Sequence, residues 1–230
     1  MIFQSWLHYL SEYNLGCLFV FFLIENLTLI YLSVILAKII EYENTKLSKK
    51  DRKWIIATLF CNTVITLLGF ELYQYEIIKI DFSPSLFSIL FDTLILIVVM
   101  DFFMFCFHFL AHYLKWFSPI HKLHHTHVET SVYSLYVLHP IETLGFGCIW
   151  LFSITILDFN YLSIIIYLIL NLAYGIFGHL KTDIFPDFWY NSNITKWIST
   201  TKFHSNHHKN EAHNFGFYFT IWDKIFKTII

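Results

Sequence analysis

The sequence predicts an all-α integral membrane protein, and three observations predict it. Of its 230 residues 57% are hydrophobic and the mean hydropathy is +0.57, well above the soluble average. Apolar runs recur that are long enough to cross about 30 Å of hydrocarbon, which takes about 20 helical residues. Twelve of the 13 histidines fall after residue 100, at or just beyond the ends of such runs.

Taken in order, residues 1 to 15 mix aromatic and polar side chains without Lys or Arg, so they read as an interfacial start and not as a cleaved leader. A first apolar stretch runs from about Cys17 to Ala37, interrupted by Glu25 and Asn26. A basic loop follows from Lys38 to Lys53, and a second span covers about Trp54 to Tyr73. Ser83 and Pro84 form an N-cap and first-turn signal for a third span, Leu86 to Phe107. Its pattern continues through His108 and His112 until Pro119, which cannot extend a helix. Pro140 begins a fourth stretch to about Leu157, Asp158-Phe159-Asn160 turns the chain, and a fifth runs from Tyr161 to Gly178. These last two form a helical hairpin that crosses or deeply enters the bilayer, so about four full spans are expected. No repeat or flexible linker divides the chain, and residues 1–230 read as a single membrane domain.

Basic residues give the orientation, because they accumulate on the cytoplasmic side of short loops. With the loop at 38 to 53 inside, 14 of the 15 Lys and Arg residues fall on the cytoplasmic side and Lys79 alone outside. The same topology puts the His-rich segments beginning at 108, 121, 179 and 204 on that side. The formal net charge of -2 excludes a nucleic-acid partner, which needs a basic face. Cys17, Cys61, Cys106 and Cys148 lie singly in apolar segments, so they read as small buried residues and suggest neither disulfides nor a zinc ribbon.

His108 and His112, four apart on a helix, share one face. His121, His124 and His125 form H-x-x-H-H, and His204, His207 and His208 repeat it. With i and i+3 pointing together and i+4 slightly aside, one triplet offers ligands to two metals. Two triplets facing an H-x-x-x-H pair therefore suggest a dinuclear site. His179, ending the fifth stretch, and His139, before Pro140, complete the candidate ligands, while His127, His213 and His8 read as surface or interfacial residues. Trp222 reads as a packing or headgroup-level side chain. Asp101, two turns before His108, together with Glu142, Asp183 and Glu129, are candidates to hold the imidazole tautomers from outside. Imidazole suits zinc, iron, copper and nickel alike, and spacing does not choose among them. A metal transporter and a non-redox zinc protein with a structural role stay open as alternatives.

The order H-x-x-x-H, H-x-x-H-H, H-x-x-H-H resembles the fatty acid hydroxylase superfamily, or sterol desaturase family, of membrane di-iron oxygenases. DFFMFCFHFLAH is similar to the lead into its first histidine box, HKLHHTHVET to its second, and LHPIE at 138 to 142 to its H-P-x-E element. GHLKTDIFP at 178 to 186 is similar to its single-His loop, and FHSNHHKNEAHNFGFYFTIWDKIFKT to its last box and C-terminal signature. The resemblance covers about 101 to 228, with residues 1–100 as N-terminal spans. Two departures are Phe109, where many members have Arg, and Asn214-Phe215-Gly216, where the family ends in Asn-Tyr-Gly; the first leaves the subfamily open.

The resemblance implies a four-helix membrane anchor under a cytosolic helical cap that holds two iron ions, mainly through His. It implies O2 as co-substrate for hydroxylation, desaturation or monooxygenation of a fatty acyl, sterol-like or alkyl lipid drawn from the bilayer. Zinc could occupy the same imidazoles in purified protein, but it has no redox states for such chemistry. With no Gly-rich dinucleotide fingerprint in the chain, a separate electron donor is expected. The host would be a bacterial inner membrane or the endoplasmic reticulum.

Overall fold

The computed structural model describes residues 2–41, 47–83 and 85–230. Lys46 of the basic loop and Pro84 lie outside them. The helices are α1 (Ile2–Leu10), α2 (Leu15–Glu41), α3 (Lys49–Gln74), α4 (Leu86–Tyr113), α5 (Ser118–His125), α6 (Pro140–Ile154), α7 (Tyr161–Gly178), α8 (Asp187–Asn191), α9 (Thr201–Lys209) and α10 (Ile221–Phe226). Four of them, α2, α3, α4 and α7, are long and apolar enough to cross a membrane. The fourth stretch is shorter than the sequence suggests: α6 has 15 residues and ends at Ile154, which makes it about 22 Å long at 1.5 Å per residue.

Two boundaries differ from the sequence reading. Ser83 does not cap α4. Its backbone N–H and hydroxyl both turn back to the Asp81 carboxylate, and Ser85 is the capping position. At the other end α4 stops at Tyr113, and Pro119 opens α5 instead of closing α4. A proline in a first turn loses nothing there, since its missing N–H would have had no partner.

The turn at 158 to 160 is more than a turn. Strand β1 (Ile80–Asp81) pairs in parallel with β2 (Phe159–Asn160). Asn160 is fully buried: its N–H donates to Asp92 Oδ2 at 2.8 Å, its side-chain amide donates to Ser83 O at 2.8 Å, and its Oδ1 caps α7 by accepting from Leu162 N at 3.0 Å. Ser163 Oγ donates to Ile89 O, so α4 and α7 start level with each other. From that common line the 28 residues of α4 reach about 42 Å and the 18 of α7 about 27 Å. The surplus of α4, about 15 Å, carries His108 and His112 past the end of α7, where His179 follows.

Between these ends α4 packs on α6 and α7, and α3 on α2 and α6. Leu96, Met100, Leu151, Ile154, Phe159 and Tyr167 form the core of the contact. The approach of α6 to α4 needs Gly145, since a Cβ there would stand 2.3 Å from the ring of Phe107. Val20, Phe21, Ile24, Leu94 and Phe152 point outward, as lipid-facing residues do. Cys17 and Cys148 are also exposed, against the expectation of burial; an apolar surround for them is lipid and not protein core.

The chain after α9 folds back over the bundle end. Asp101, buried within α4, does not touch any histidine. Its Oδ1 accepts from the backbone N–H of Tyr218 at 2.7 Å and of Phe219 at 3.2 Å, and its Oδ2 from Trp222 Nε1 at 2.8 Å. Trp222 is therefore an anchor to α4 and not a headgroup-level side chain. A second buried carboxylate, Asp223, accepts from Phe215 N at 2.8 Å, Gly216 N at 2.7 Å and Thr228 Oγ1 at 2.6 Å. Asn214 holds the turn in left-handed backbone (φ 62°), and Gly216 is needed beside it because a Cβ would meet Phe219 O at 2.3 Å.

Asp101→Ala leaves three donors without an acceptor, at about 1–3 kcal/mol each where they are buried. The variant should insert normally, show a lowered melting temperature in detergent, and expose residues 214–230 to limited proteolysis. Gly216→Ala should weaken the same segment; unchanged protease resistance in both would refute this account of the clip.

Candidate metal centre

Nine histidines from three helices and one helix end converge. His108 and His112 come from α4, His121, His124 and His125 from α5, His179 from the C-terminus of α7, and His204, His207 and His208 from α9. They form two groups, each with one ring nitrogen per residue within 4.8 Å of the others. The first is His108, His112, His121, His125 and His207; the second is His124, His179, His204 and His208.

Each H-x-x-H-H triplet does serve both groups, but not with the division expected. His121 and His125 share the first group and His124 joins the second; His204 and His208 share the second and His207 joins the first. The pair that points together is i and i+4. At 3.6 residues per turn, i+4 lies about 40° from i around the helix and i+3 about 60° in the opposite sense. The two helices thus exchange one histidine each across the centre.

The inner nitrogens are closely spaced. In the first group His207 Nε2 lies 3.1 Å from both His112 Nε2 and His125 Nε2, and His125 Nε2 lies 3.0 Å from His121 Nε2. In the second, His179 Nε2 is 3.3 Å from His124 Nε2, and His208 Nε2 is 3.2 Å from His204 Nε2. Nitrogens about 2.0–2.1 Å from one ion stand about 2.9 Å apart at right angles and about 3.4 Å apart in a tetrahedron. The observed spacings fall within that interval.

The outer nitrogens explain which form the rings take. A carbonyl oxygen only accepts, so Nδ1 must be the protonated nitrogen in His108 (to Phe215 O, 2.9 Å), His179 (to Gly175 O, 3.1 Å) and His207 (to His213 O, 2.6 Å). In a neutral ring this leaves Nε2 with a bare lone pair facing the group. His121 Nδ1 meets Glu142 Oε1 at 2.6 Å, and both are buried. Burial keeps the rings neutral. It pushes His121 and His179 down to about 4 and His208 down to about 2, and drives His124, His204 and His207 well below the usual imidazole range, with neighbouring histidines adding in the last three. A cation between them satisfies the converging lone pairs at once, whereas proton sharing pairs nitrogens only two at a time. The donor set therefore fits a metal ion in each group.

Of the outer carboxylates expected from sequence, Glu142 touches a group member. Asp101 acts at one remove, by holding the segment whose Phe215 carbonyl accepts the hydrogen bond from His108 Nδ1–H. Asp183 does not reach the centre: it accepts from Phe185 N and from the hydroxyl of Tyr190 at the surface. Glu129 is exposed and has no described contact with a group member. His139 joins neither group. Its Nδ1 caps α6 by accepting from Ile141 N at 3.2 Å, and its ring packs on Trp54. His127 pairs with Asp51 at 3.2 Å, outside both groups. Sequence reasoning missed Asp223, whose role depends on a turn that only the fold reveals, and Glu211, whose carboxylate lies 3.9 Å from His112 Nδ1 and 4.0 Å from His125 Nδ1. Its place three residues after His208 was the available signal.

Beside the second group is a small cleft of about 20 Å³, room for about one water, lined by Tyr174, Phe177, Phe185 and Phe217 together with His179 and His204. Phe215 packs against His108, His112 and His207 from the other side, with ring centroids 5.3–5.7 Å apart.

Comparison with known proteins matches this architecture. Cholesterol 25-hydroxylase of Rattus norvegicus is 26% identical over 150 residues, 64% of this chain and 49% of that protein. Methylsterol monooxygenase 1 of Gallus gallus is 29% identical over 121 residues, 53% of this chain and 40% of that one. The cholesterol 25-hydroxylase-like protein of Danio rerio is 25% identical over 150 residues, 64% and 59% of the two chains. The chain spans about half the length of the curated relatives it matches, and no solved structure matches it. Residues 93–228, which contain all nine converging histidines, match the model of the fatty acid hydroxylase family, and the chain belongs to that family.

Proposed function

We propose that this protein is a membrane oxidoreductase that uses O2 to hydroxylate, desaturate or monooxygenate a lipid at a His-ligated di-iron centre. The observation that carries the reading is the pair of buried, neutral imidazole groups, of five and four members, at one end of an apolar helical bundle. Family membership supports the same chemistry, and the names of the relatives favour a sterol-like substrate. Iron bound there would supply the redox capacity to activate O2, which zinc lacks.

The residues of the chain do the rest. His108, His112, His121, His125 and His207 would hold one ion, and His124, His179, His204 and His208 the other. The carbonyls of Phe215, Gly175 and His213 keep protons on the outer nitrogens, so that each inner nitrogen stays free to bind. Burial pushes the Glu142 carboxyl up to about 8; ionised beside a bound cation, it would do the same for His121 and bring a negative charge to a centre whose other ligands have none. The small cleft lined by Tyr174, Phe177, Phe185 and Phe217 marks where the reacting end of a long apolar molecule would approach His179 and His204, with these side chains moving apart to admit it and the remainder staying in the bilayer. Hydroxylation of one C–H bond consumes O2, two electrons and two protons and releases one water, so a separate electron donor serves the enzyme. The fourteen basic residues on one side of the predicted topology support a cytoplasmic face for the centre.

Three tests follow from this reading. His124→Ala and His207→Ala should each still insert in the membrane, lose metal from their own group, and abolish incorporation of isotopic dioxygen into cellular lipid; full activity in both would refute the assignment. Glu142→Gln, which keeps shape but removes the charge, should weaken metal retention about 10- to 100-fold as judged by chelator competition. In a cysteine-free background, Lys122→Cys should react with a membrane-impermeant thiol reagent from the cytoplasmic side and Lys79→Cys from the opposite side; the reverse would overturn the orientation.

A further inference from the structure

The five-histidine group is incompletely tied from outside. His108, His121 and His207 have Nδ1 engaged by Phe215 O, Glu142 and His213 O, at 2.9, 2.6 and 2.6 Å. His125 Nδ1 is buried without a hydrogen-bond partner. It lies 4.0 Å from one oxygen of Glu211, and His112 Nδ1 lies 3.9 Å from the other. These distances are too long for hydrogen bonds, but one carboxylate spans the two nitrogens that nothing else holds.

We propose that Glu211 is a positioning residue for the first metal: when an ion draws His112 and His125 into place, its two oxygens accept their Nδ1–H protons and fix both rings. The inference rests on reading the five-histidine group as a metal site. Three observations converge on it. Every ring of the group except His112 and His125 already has an acceptor at Nδ1, so the missing acceptors are two, and Glu211 has two oxygens facing them. Among the described residues, Glu142 and Glu211 are the two carboxylates within 4.0 Å of any of the nine imidazoles, and both serve the five-histidine group. A divalent ion held by neutral rings keeps its full charge, and a carboxylate on the far nitrogen offsets part of it and makes the ring a stronger ligand.

The position of Glu211 is also fixed by the chain. It lies in the turn that leaves α9, between Asn210, whose N–H bonds back to Asn206 O at 2.8 Å, and His213, whose carbonyl holds His207. Its side chain is 42% exposed, so it can close by about the 1 Å that separates the present distances from hydrogen bonds, without repacking the core.

The test uses the full chain in detergent with Co2+ as the probe, read by visible absorption and by competition with a chromophoric chelator. Wild type is expected to take two Co2+. Glu211→Gln and Glu211→Ala should keep one at wild-type affinity and bind the other about 10- to 100-fold more weakly, with a shifted absorption band for that ion alone. His207→Ala should lose the same band. Two unaltered sites in both Glu211 variants would overturn the proposal, as would equal weakening of both sites, which signals general damage. A wild type that binds fewer than two Co2+ would instead overturn the underlying metal reading.

Discussion

Neutral imidazoles with their lone pairs turned inward are the constraint that the rest of this structure serves. Nine buried or half-buried rings at one bundle end have no cheap structural use, because each carries a donor and an acceptor that need partners away from water. The fold answers by assigning protons. Backbone carbonyls at Phe215, Gly175 and His213 take the outer N–H groups, and burial prevents a second proton from binding. The inner nitrogens then face one another at 3.0–3.3 Å, an arrangement that becomes favourable when a cation lies between them.

Much of the remaining architecture can be derived from that requirement. Two of the three proton-accepting carbonyls lie on the segment after α9, so that segment has to be fixed to the bundle. Asp101 and Asp223 do this with six accepted hydrogen bonds, three to each carboxylate. At the opposite end, the pairing of β1 with β2 and the buried Asn160 set the starts of α4 and α7 level. The difference in helix length then decides how far beyond α7 the histidines of α4 project. Two short helices, α5 and α9, each supply both groups and so fix the spacing between them. The precision of the site comes from hydrogen bonds of two ranges: local ones, as at Asp223, His179 and His207, and long-range ones at Asp101, His108 and Asn160 that join distant segments.

Which of these features could be read from sequence follows from their range. Helical periodicity and apolar run length are local, so the spans and the shared side of the histidine segments were legible before any fold was known. The H-x-x-H-H spacing was legible as serving two histidine groups at once. Its division was misread, because i+3 and i+4 lie on opposite sides of i and only the neighbouring helix shows which is used. Asp101 stood out as a charge in an apolar run, but its partners at Tyr218, Phe219 and Trp222 are more than a hundred residues away. His139 looks like a ligand by composition, yet it joins neither group and its Nδ1 caps the N-terminus of α6, a local use that the following proline already hinted at. Asp183 similarly serves its own loop.

The division into groups of five and four also bears on how the two ions would differ. Both carboxylates near the imidazoles, Glu142 and Glu211, face the five-histidine group, and the small cleft lies beside the four-histidine group. Under the proposed function, the first ion would have more ligands, more compensating charge and the cover of Phe215, while the second would have fewer ligands and lie next to the small aromatic-lined cleft. Coordination number and local charge together set how readily an ion accepts a further ligand. Under that reading the four-histidine ion would exchange a further ligand more readily, and the five-histidine ion would be held more firmly. An ion in transit would need both groups to release their contents, but His108, His179 and His207 are tied by backbone carbonyls and cannot swing away without breaking the ends of their own segments. That rigidity suits a resident centre better than a transport path.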